Sequence, residues 1–271
     1  MPEGHTIHRI AVDHSKILRG KHVAVSSPQG RFEADAALVD GVKLKRIEAY
    51  GKHLFYFWAN GLVGHVHLGL FGRFRVYRTQ AGPNSLSKLP EDASTVRMRL
   101  TVPGATIDLV GPTACTIGPA EIRDRIVARL GPDPLRPDAD PQQAYDAIVR
   151  RAAPIGQLIL DQKVISGLGN VYRAEALFLN GINPMRPGNR IDPAEFEDLW
   201  ATIVQMLERG LDEDRIVTLD RNEFDVPTGI TQRGETTYVY HRDVCLICGS
   251  PIQTVDLGGR ACYYCPVDQP D

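Results

Sequence analysis

The cysteines near the carboxyl end constrain the fold of this chain more than any other feature. Four of the five lie within the last 27 residues, as two Cys-x-x-Cys pairs: Cys245 with Cys248, and Cys262 with Cys265. About 30 residues cannot build a core of their own, and four thiolates suit tetrahedral zinc. The spacing therefore predicts one structural Zn²⁺ per chain. It also indicates a reducing compartment, because a secreted disulfide scaffold spreads its cysteines along the chain.

A β-hairpin is predicted between the two cysteine pairs. Residues 253–264 have strand character on either side of Gly258-Gly259, which favours a turn there. Arg260 then lies at the tip of the hairpin, where it is placed to reach a phosphate or a base.

The remaining sequence predicts an α+β protein of several parts. Residues 1–130 open with one helix and continue as short β-branched and aromatic strands separated by turns, which is typical of a β-sandwich domain. Residues 131–141 are rich in proline and form a hinge linker. Residues 142–235 predict a helical domain, and residues 236–271 the zinc finger.

Individual elements can be placed within these parts. Asp192-Pro193-Ala194-Glu195 predicts a helix start with an N-cap, a proline at N1 and a glutamate at N3, and the helix should end near Gly210. Residues 83–94 predict an exposed loop. Six strands are predicted, over residues 42–49, 53–58, 62–68, 74–77, 96–100 and 107–110.

The charge of the chain is unevenly distributed. The net charge of −2 argues mildly against a nucleic-acid partner, but residues 1–130 hold 18 Lys and Arg against 11 Asp and Glu. Such a basic domain can hold a phosphate backbone on one face although the rest of the chain is acidic. No apolar run reaches the roughly 18 residues of a membrane span, and there is no charged-then-apolar leader. We therefore expect a cytoplasmic protein with no membrane partner.

The amino terminus predicts imine chemistry. A small second residue favours removal of Met1, which leaves Pro2 as a secondary amine that can form an iminium with an aldehyde-like carbon. Glu3 beside it can act as an acid or a base. Thr6 predicts the N-cap of a helix that stops at Gly20, and the positive end of that helix would lie near the amine. The alternative is an ordinary disordered start.

The segment Gly167-Leu168-Gly169-Asn170 predicts a tight turn between two helices. Its glycines let the backbone approach a ligand closely, and a helix N-terminus with Asn170 at the cap donates hydrogen bonds to an anion. The alternative is a plain helical hairpin. A dinucleotide fingerprint is excluded, because Tyr172 stands at the third glycine position and no strand precedes the turn.

Three groups of motifs, occurring in order along the whole chain, resemble the formamidopyrimidine-DNA glycosylase/endonuclease VIII family. They are Pro2-Glu3-Gly4, then Leu160-Asp161-Gln162 with Gly167-Leu168-Gly169-Asn170, then His241-Arg242-Asp243 with Cys245-x-x-Cys248 and Arg260. The first group and the His-Arg-Asp tripeptide resemble the endonuclease VIII branch. The resemblance implies an N-terminal β-sandwich, a helix–two-turn–helix DNA-binding domain and a zinc finger.

The resemblance also implies an activity. The chain would be a bifunctional DNA glycosylase and AP lyase that excises oxidised bases, pyrimidines first, and nicks DNA by β,δ-elimination. It would act as a monomer on damaged DNA, duplex or single-stranded, in association with the nucleoid. Two alternatives stay open at this point. One is a purine-directed member that acts on formamidopyrimidines and 8-oxoguanine, and the other is a damage-binding protein without catalysis.

Catalytic roles follow from the resemblance, residue by residue. Pro2 would attack the sugar C1′, and Glu3 would help to open the deoxyribose ring. Gly51-Lys52-His53-Leu54 matches the lysine segment of the family, so Lys52 would contact the lesion phosphate and assist β-elimination. Arg260 matches the finger arginine associated with δ-elimination and with the phosphate.

DNA-binding roles follow in the same way. Asn170 and Arg129 match residues that contact phosphates. Residues 67–72 align with the loop that fills the gap left by a flipped nucleotide, so Leu70 and Phe71 would form the apolar wedge. Gly69 stands where this family often has a polar residue.

Besides Gly69, two further departures from the family pattern affect the predictions. His5 and Thr6 replace the usual proline and glutamate of the opening. In the family register the fourth metal ligand falls on Asp268, whereas local spacing points to Cys262. Cys262 is favoured, because a second knuckle resembling the first is the simplest way to close the site. His241 is a further candidate.

Overall fold

In the computed structural model of the chain, residues 2–78, 93–228 and 234–271 are described. Met1, whose loss is expected, lies outside the described residues. Most of the loop expected at residues 83–94 also lies outside them. Across the described residues, no helix combines the length and the apolar character needed to cross a membrane.

The described chain divides into two compact units. The first unit consists of Pro2 and residues 7–129, and the second of Glu3–Thr6 with residues 130–271. The division places Pro2 and Glu3, which are adjacent in sequence, in different units.

The first unit contains the predicted β-sandwich. Its described strands form two four-stranded antiparallel sheets, with the orders β1-β6-β7-β5 and β2-β3-β4-β8. The strands are β1 (Ala24–Ser26), β2 (Leu44–Tyr50), β3 (His53–Trp58), β4 (Val63–His67), β5 (Arg73–Arg78), β6 (Val96–Val102), β7 (Ala105–Val110) and β8 (Ala114–Gly118).

The inward side chains of both sheets share one core with a helix. Leu54 from one sheet and Leu100 from the other are buried in the same cluster as Leu18 of helix α1 (Gly4–Leu18). This shared burial is what makes the two sheets a sandwich. Two short helices, α2 (Glu33–Ala37) and α3 (Glu121–Val127), complete the described part of the unit.

Six strands were predicted, and all six are present. The strands β1 and β8 were not predicted, because each is short and carries few β-branched or aromatic residues. Both lie at sheet edges, where pairing with one neighbour suffices to form them.

Helix α1 begins earlier than predicted. It starts at Gly4, so Thr6 lies inside the first turn and its amide bonds to the carbonyl of Glu3 at 3.0 Å. The N-cap expected at Thr6 is therefore wrong.

The second unit is helical and ends in a hairpin module. A core of aliphatic residues, with Leu177 and Leu199 fully buried, joins its main helices. The elements are α4 (Pro141–Val149), α5 (Ile155–Leu158), α6 (Asn170–Leu179), a 3₁₀ turn (Gly188–Arg190), α7 (Pro193–Glu213), β9 (Gln253–Asp256) and β10 (Ala261–Tyr264). The hairpin predicted between the cysteine pairs is confirmed as β9 and β10.

The capping box predicted at the start of α7 is confirmed, with reciprocal bonds between Asp192 and Glu195. The helix does not stop at Gly210, however, and continues to Glu213. A Cβ at Gly210 would lie 2.1 Å from the hydroxyl of Tyr172. This glycine is needed for close packing inside the helix and does not end it.

The helix expected before the Gly167 turn is short. Helix α5 ends at Leu158, and turns carry the chain from there to α6. The carboxylate of Asp161 accepts from the amide of Lys163 at 3.0 Å, a turn that competes with helix continuation.

The beginning of the predicted hinge is packed inside the second unit. The amide of Gly131 donates to Gln162 at 2.9 Å, and the carbonyl of Pro132 accepts from Ser166 at 3.0 Å. A Cβ at Gly131 would lie 2.3 Å from the carbonyl oxygen of Val164. Residues 131–134 are buried, so this stretch is fixed to the helical unit.

Candidate functional site

Glu3 is a buried acid in the second unit. Its side chain is 0% exposed, and its carboxylate accepts from the backbone amides of Gly169 (2.8 Å) and Val171 (3.0 Å). These amides lie at the N-terminus of α6, where unpaired N–H groups and the helix dipole favour a negative charge. The helix terminus therefore holds an anion that the chain itself supplies.

Glycine is required where the backbone meets Glu3. A Cβ at Gly169 would lie 2.3 Å from the carboxyl carbon of Glu3. The amide of Gly4 donates to the carbonyl of Gly167 at 2.8 Å, and Gly167 has a φ of +90°. Glu3 therefore takes the amides of Gly169 and Val171 at this helix N-terminus, where the sequence predicts an external anion.

Asn170 opens α6 and contacts the hairpin. Its side chain is buried, and its Nδ2 donates to the carbonyl of Ala261 at 2.9 Å. Its Oδ1 accepts from the guanidinium of Arg173. Asn170 is the first helical residue and does not cap the helix with its side chain.

Arg260 lies at the tip of the hairpin, as the sequence predicts. Its side chain is exposed, and its carbonyl accepts from the amide of Leu257 at 3.0 Å, which closes the turn. Gly258 and Gly259 have φ values of +68° and +72°, a left-handed conformation that glycine adopts without strain.

Two charged residues of α6 were missed by sequence reasoning. Arg173 is fully buried and donates to the carbonyls of Gly156 (3.2 Å), Leu257 (3.0 Å), Arg260 (3.3 Å) and Ala261 (3.2 Å). The signal was available, because Arg173 lies one helical turn after Asn170 in a segment that is otherwise mainly apolar.

Glu175 is the second missed residue. It is 0% exposed and accepts from the hydroxyl of Thr218 (2.5 Å) and from the amides of Tyr238 (2.6 Å), Val239 (2.9 Å) and Tyr240 (2.9 Å). Burial raises the pKa of Glu175, and these four hydrogen bonds oppose that rise. The side chain thus fixes the backbone that leads into the cysteine module.

Three cysteines and one aspartate form a potential metal centre. One ligand atom from each of Cys245, Cys248, Cys265 and Asp268 lies within 4.8 Å of all the others. The amide of Asp268 approaches the sulfur of Cys265 at 3.5 Å, the kind of N–H···S contact that supports thiolate ligands. The donor set fits a structural zinc site, with a carboxylate in place of the fourth sulfur.

Cys262 lies outside this cluster, and the preference for it as the fourth ligand is corrected. It pairs with Val255 across the hairpin and is 0% exposed. Residues three apart on a regular strand point to opposite faces, so Cys262 and Cys265 do not converge. Burial raises the pKa of the Cys262 thiol, while the nearby Arg173 guanidinium lowers it. His241, the further candidate, is also absent from the cluster.

The first unit carries Lys52 beside a histidine cluster. Lys52 is half-buried in the turn between β2 and β3. His53 and His67 are cross-strand partners, and Nδ1 of His53 lies 2.9 Å from Nε2 of His65. Burial lowers the pKa of His53 to about 3, with further lowering by the other two histidines and Lys52. Burial likewise lowers the pKa of His65 to about 4.

The loop between β4 and β5 exposes two apolar side chains. Leu70 is 55% exposed and Phe71 81% exposed. A Cβ at Gly69, where φ is +66°, would lie 1.9 Å from Oγ1 of Thr113, and one at Gly72 would lie 2.3 Å from the carbonyl of Leu68. The polar residue expected at position 69 in this family therefore has no room here.

The remaining predicted residues also belong to the first unit. Pro2 is half-buried, and Arg129 is exposed two residues after α3. Within the second unit, the structure brings Glu3, Asn170 and the Arg260 hairpin to one end of α6.

Two domain families match the chain. The formamidopyrimidine-DNA glycosylase N-terminal domain matches residues 1–113, and the formamidopyrimidine-DNA glycosylase H2TH domain matches residues 130–221. Among solved structures, a complex of Lactococcus lactis Fpg with DNA containing N7-benzyl-Fapy-dG has a TM-score of 0.79. It is 19% identical and covers 100% of each chain, so this likeness concerns the fold.

Curated relatives match at higher identity. Endonuclease 8 1 of Mycobacterium tuberculosis is 46% identical over 274 residues, which covers 99% of this chain and 100% of that protein. DNA-(apurinic or apyrimidinic site) lyase Nei2 of Mycolicibacterium smegmatis is 32% identical and covers 99% of each. With both domain matches and these full-length relatives, the chain belongs to the formamidopyrimidine-DNA glycosylase/endonuclease VIII family of DNA glycosylases and AP lyases.

Proposed function

We propose that this chain excises oxidised bases from DNA, pyrimidines first, and nicks the strand by β,δ-elimination in base excision repair. One observation carries the proposal: Glu3 is buried against two helix amides and directly follows the proline that loss of Met1 would expose. A surface acid would need neither the glycine turn nor the helix terminus. A fixed acid beside a secondary amine is what imine catalysis at a sugar requires.

In the proposed reaction, Pro2 is the nucleophile and Glu3 is the acid. The Pro2 nitrogen attacks C1′ as the bond from C1′ to the base breaks, and the proton of the Pro2 amine goes to the leaving base. Glu3, an anion at rest, takes up a proton from water and gives it to O4′, which opens the ring and leaves an iminium between Pro2 and C1′. Loss of a proton from C2′ expels the 3′ phosphate, and loss of one from C4′ expels the 5′ phosphate. Water then hydrolyses the imine and restores Pro2.

The other predicted residues act on DNA in this proposal. Lys52 and Arg260 contact the phosphates that leave, and Asn170 and Arg129 contact phosphates of the bound strand. Leu70 and Phe71 occupy the gap left by the extruded nucleotide. Their exposure supports this role, because large apolar side chains seldom protrude so far without a partner.

A structural Zn²⁺ would be held by Cys245, Cys248, Cys265 and Asp268. When bound, it would cross-link a segment too small to have its own core. Its contribution would be to hold the hairpin that carries Arg260, and none of the proposed bond changes passes through it.

The preference for oxidised pyrimidines rests on the branch of the family. The chain is 46% identical to endonuclease 8 1 of M. tuberculosis but 30% identical to the formamidopyrimidine-DNA glycosylase of Thioalkalivibrio sulfidiphilus. We further propose that the protein acts as a monomer in the cytoplasm, on nucleoid DNA. A cleavage screen over defined lesions tests the preference, and faster cleavage of 8-oxoguanine than of oxidised pyrimidines would reverse it.

Borohydride trapping tests the imine. The protein, incubated with abasic-site DNA and borohydride, should give a covalent complex whose attachment maps to Pro2 by mass spectrometry. The control is the same chain with extra residues before Pro2, which should not be trapped. Equal trapping of both would contradict the proposal. No trapping and no cleavage with either would favour a damage-binding protein without catalysis.

A further inference from the structure

Arg173 is a buried cation without a carboxylate partner in the described residues. Its side chain is 0% exposed, and none of the ion pairs within residues 2–78, 93–228 and 234–271 includes it. A buried charge costs several kcal/mol unless other groups compensate for it. Here the direct hydrogen bonds go to oxygen atoms with partial charges, four of them backbone carbonyls, and the carboxylates of Glu3 and Asp256 stabilise the cation as well.

These carbonyls belong largely to the Arg260 hairpin. Arg173 donates to the carbonyls of Leu257, Arg260 and Ala261, which lie on both sides of the Gly258-Gly259 turn. One guanidinium therefore fixes the peptide planes on either side of the hairpin tip. Lysine could not do the same, because three donors around one nitrogen cannot reach this spread of acceptors.

Arg173 also sets the orientation of Asn170. Its Nη2 donates to Oδ1 of Asn170, so the amide nitrogen of Asn170 faces the other way and donates to Ala261. The Asn170 amide has a second hydrogen beyond this bond. Arg173 thus determines that the NH₂ group of Asn170, and not its oxygen, faces the hairpin. An NH₂ group is the hydrogen-bond donor that a phosphate requires.

Charges of both signs act on Arg173. Burial lowers the pKa of Arg173 most; the Cys262 thiol, Glu3 and Asp256 raise this pKa, and the Arg260 guanidinium lowers it. The charge of Arg260 is therefore near enough to act on Arg173.

We propose that Arg173 is a positioning residue that holds Arg260 and Asn170 as a preformed clamp for one DNA phosphate. This rests on the phosphate-binding roles proposed above for those two residues. The hydrogen bonds that Arg173 donates to this clamp go to backbone and side-chain groups of the protein, so they require no group of the DNA. Less ordering is then required when the phosphate binds, which favours affinity.

The test measures kcat, KM and the share of δ-elimination product on abasic-site DNA. The variants are Arg173→Lys and Arg173→Met. The matched control is Arg209→Lys, since Arg209 also donates to a carbonyl, that of Leu219, which does not belong to the hairpin. We expect Arg173→Lys to raise KM roughly tenfold and to lower the δ share, with borohydride trapping retained. Arg209→Lys should leave all three unchanged.

A double-mutant cycle with Arg260→Ala separates positioning from a merely structural effect. If Arg173 acts through Arg260, Arg173→Lys should change KM much less in the Arg260→Ala background. If the two substitutions change KM independently, so that their effects multiply, the proposal is overturned. It is also overturned if Arg173→Lys has the KM and the share of δ-elimination product of the wild type. If Arg173→Met fails to fold, Arg173→Lys decides alone, because it keeps the charge and the stem. Failure of the wild type to cleave abasic DNA would instead count against the proposed function.

Discussion

At the scale of single residues, Glu3 shows how the backbone of a distant segment can fix one side chain. Both carboxylate oxygens accept from backbone amides at the N-terminus of α6, and the side chain is excluded from solvent. A glutamine has almost the same shape but only one oxygen, so its NH₂ group would face an amide N–H. One buried donor would then lack an acceptor, at a cost of about 1–3 kcal/mol.

We therefore predict two effects of Glu3→Gln. Base excision should be lost, while more of the lyase activity on a preformed abasic site survives, because an open aldehyde needs no ring-opening acid. The melting temperature should also fall. Gel assays on lesion and abasic oligonucleotides, with thermal melts, measure both. Equal loss of excision and lyase activity in a folded variant would argue against this role for Glu3.

The fourth metal ligand is also a question about single residues. We expect Asp268→Asn to lose zinc and melt at a lower temperature, because a neutral amide is a weak replacement for a carboxylate ligand. Cys262→Ser should keep its zinc. Metal analysis and thermal melts decide between them, with Asp243→Asn as a control, since Asp243 is an exposed acid outside the cluster. Zinc lost only from Cys262→Ser would restore the interpretation from local spacing.

At the scale of elements, the loop after β4 is built to expose its tip. Gly69 and Gly72 have no room for a side chain, while Leu70 and Phe71 between them have few contacts. The rigid ends and protruding middle fit a wedge that enters a DNA stack, since unstacking costs a few kcal/mol that inserted apolar groups partly recover.

Replacement of Leu70 and Phe71 by alanine should therefore reduce cleavage of lesions in duplex DNA far more than in single strands. Stability should hardly change, because both side chains are exposed. Cleavage rates on matched duplex and single-stranded oligonucleotides measure the difference. The exposed Val76 of β5, replaced by alanine, serves as a control on the same unit. Equal loss on both substrates would contradict the wedge.

His14 links α1 to the sheet and predicts how stability depends on pH. Its Nδ1 lies 2.8 Å from the hydroxyl of Tyr56, and burial lowers its pKa to about 4. The unfolded chain takes up this proton below about pH 6.5, but the folded chain does not until about pH 4. Its stabilising contribution is therefore complete above pH 6.5 and is lost as the pH falls towards 4.

His14→Gln should remove part of this dependence. Between pH 7 and 4.5, we expect the free energy of unfolding to fall by roughly 2–3 kcal/mol less in the variant than in the wild type. Urea titrations at the two pH values measure it. His22→Gln, which replaces an exposed ring bonded to Gly41, is the control and should behave as the wild type does. Identical pH profiles for all three proteins would refute the assignment.

At the scale of the whole molecule, local patterns predicted the elements and long-range contacts decided the site. The sandwich strands, the α7 capping box and the β9–β10 hairpin follow from periodicity and turn chemistry, which act over a few residues. The roles of Arg173 and Glu175 depend on segments more than 40 positions away in sequence, and no local pattern encodes those partners.

The predictions that the structure corrects failed for the same reason, because long-range contacts overrode local patterns. Gly210 has the composition of a helix stop, but Tyr172 requires a glycine there. Cys262 has the spacing of a ligand, but its strand turns it away from Cys265. The turn before α6 has the form of an anion site, and the anion proves to be a side chain from the other end of the sequence.

The composition of the cysteine cluster has a consequence for the cell under peroxide stress. Of the five cysteines, all of which the structure describes, only Cys248 is exposed. Oxidants therefore reach the potential metal centre at one sulfur, and a sulfenic acid there would not serve as the thiolate ligand proposed above, whereas Asp268 cannot be oxidised in this way. Without Cys248 as a ligand, the metal would no longer hold the hairpin that carries Arg260. Under the proposed function, the oxidants that create the lesions would also limit their repair.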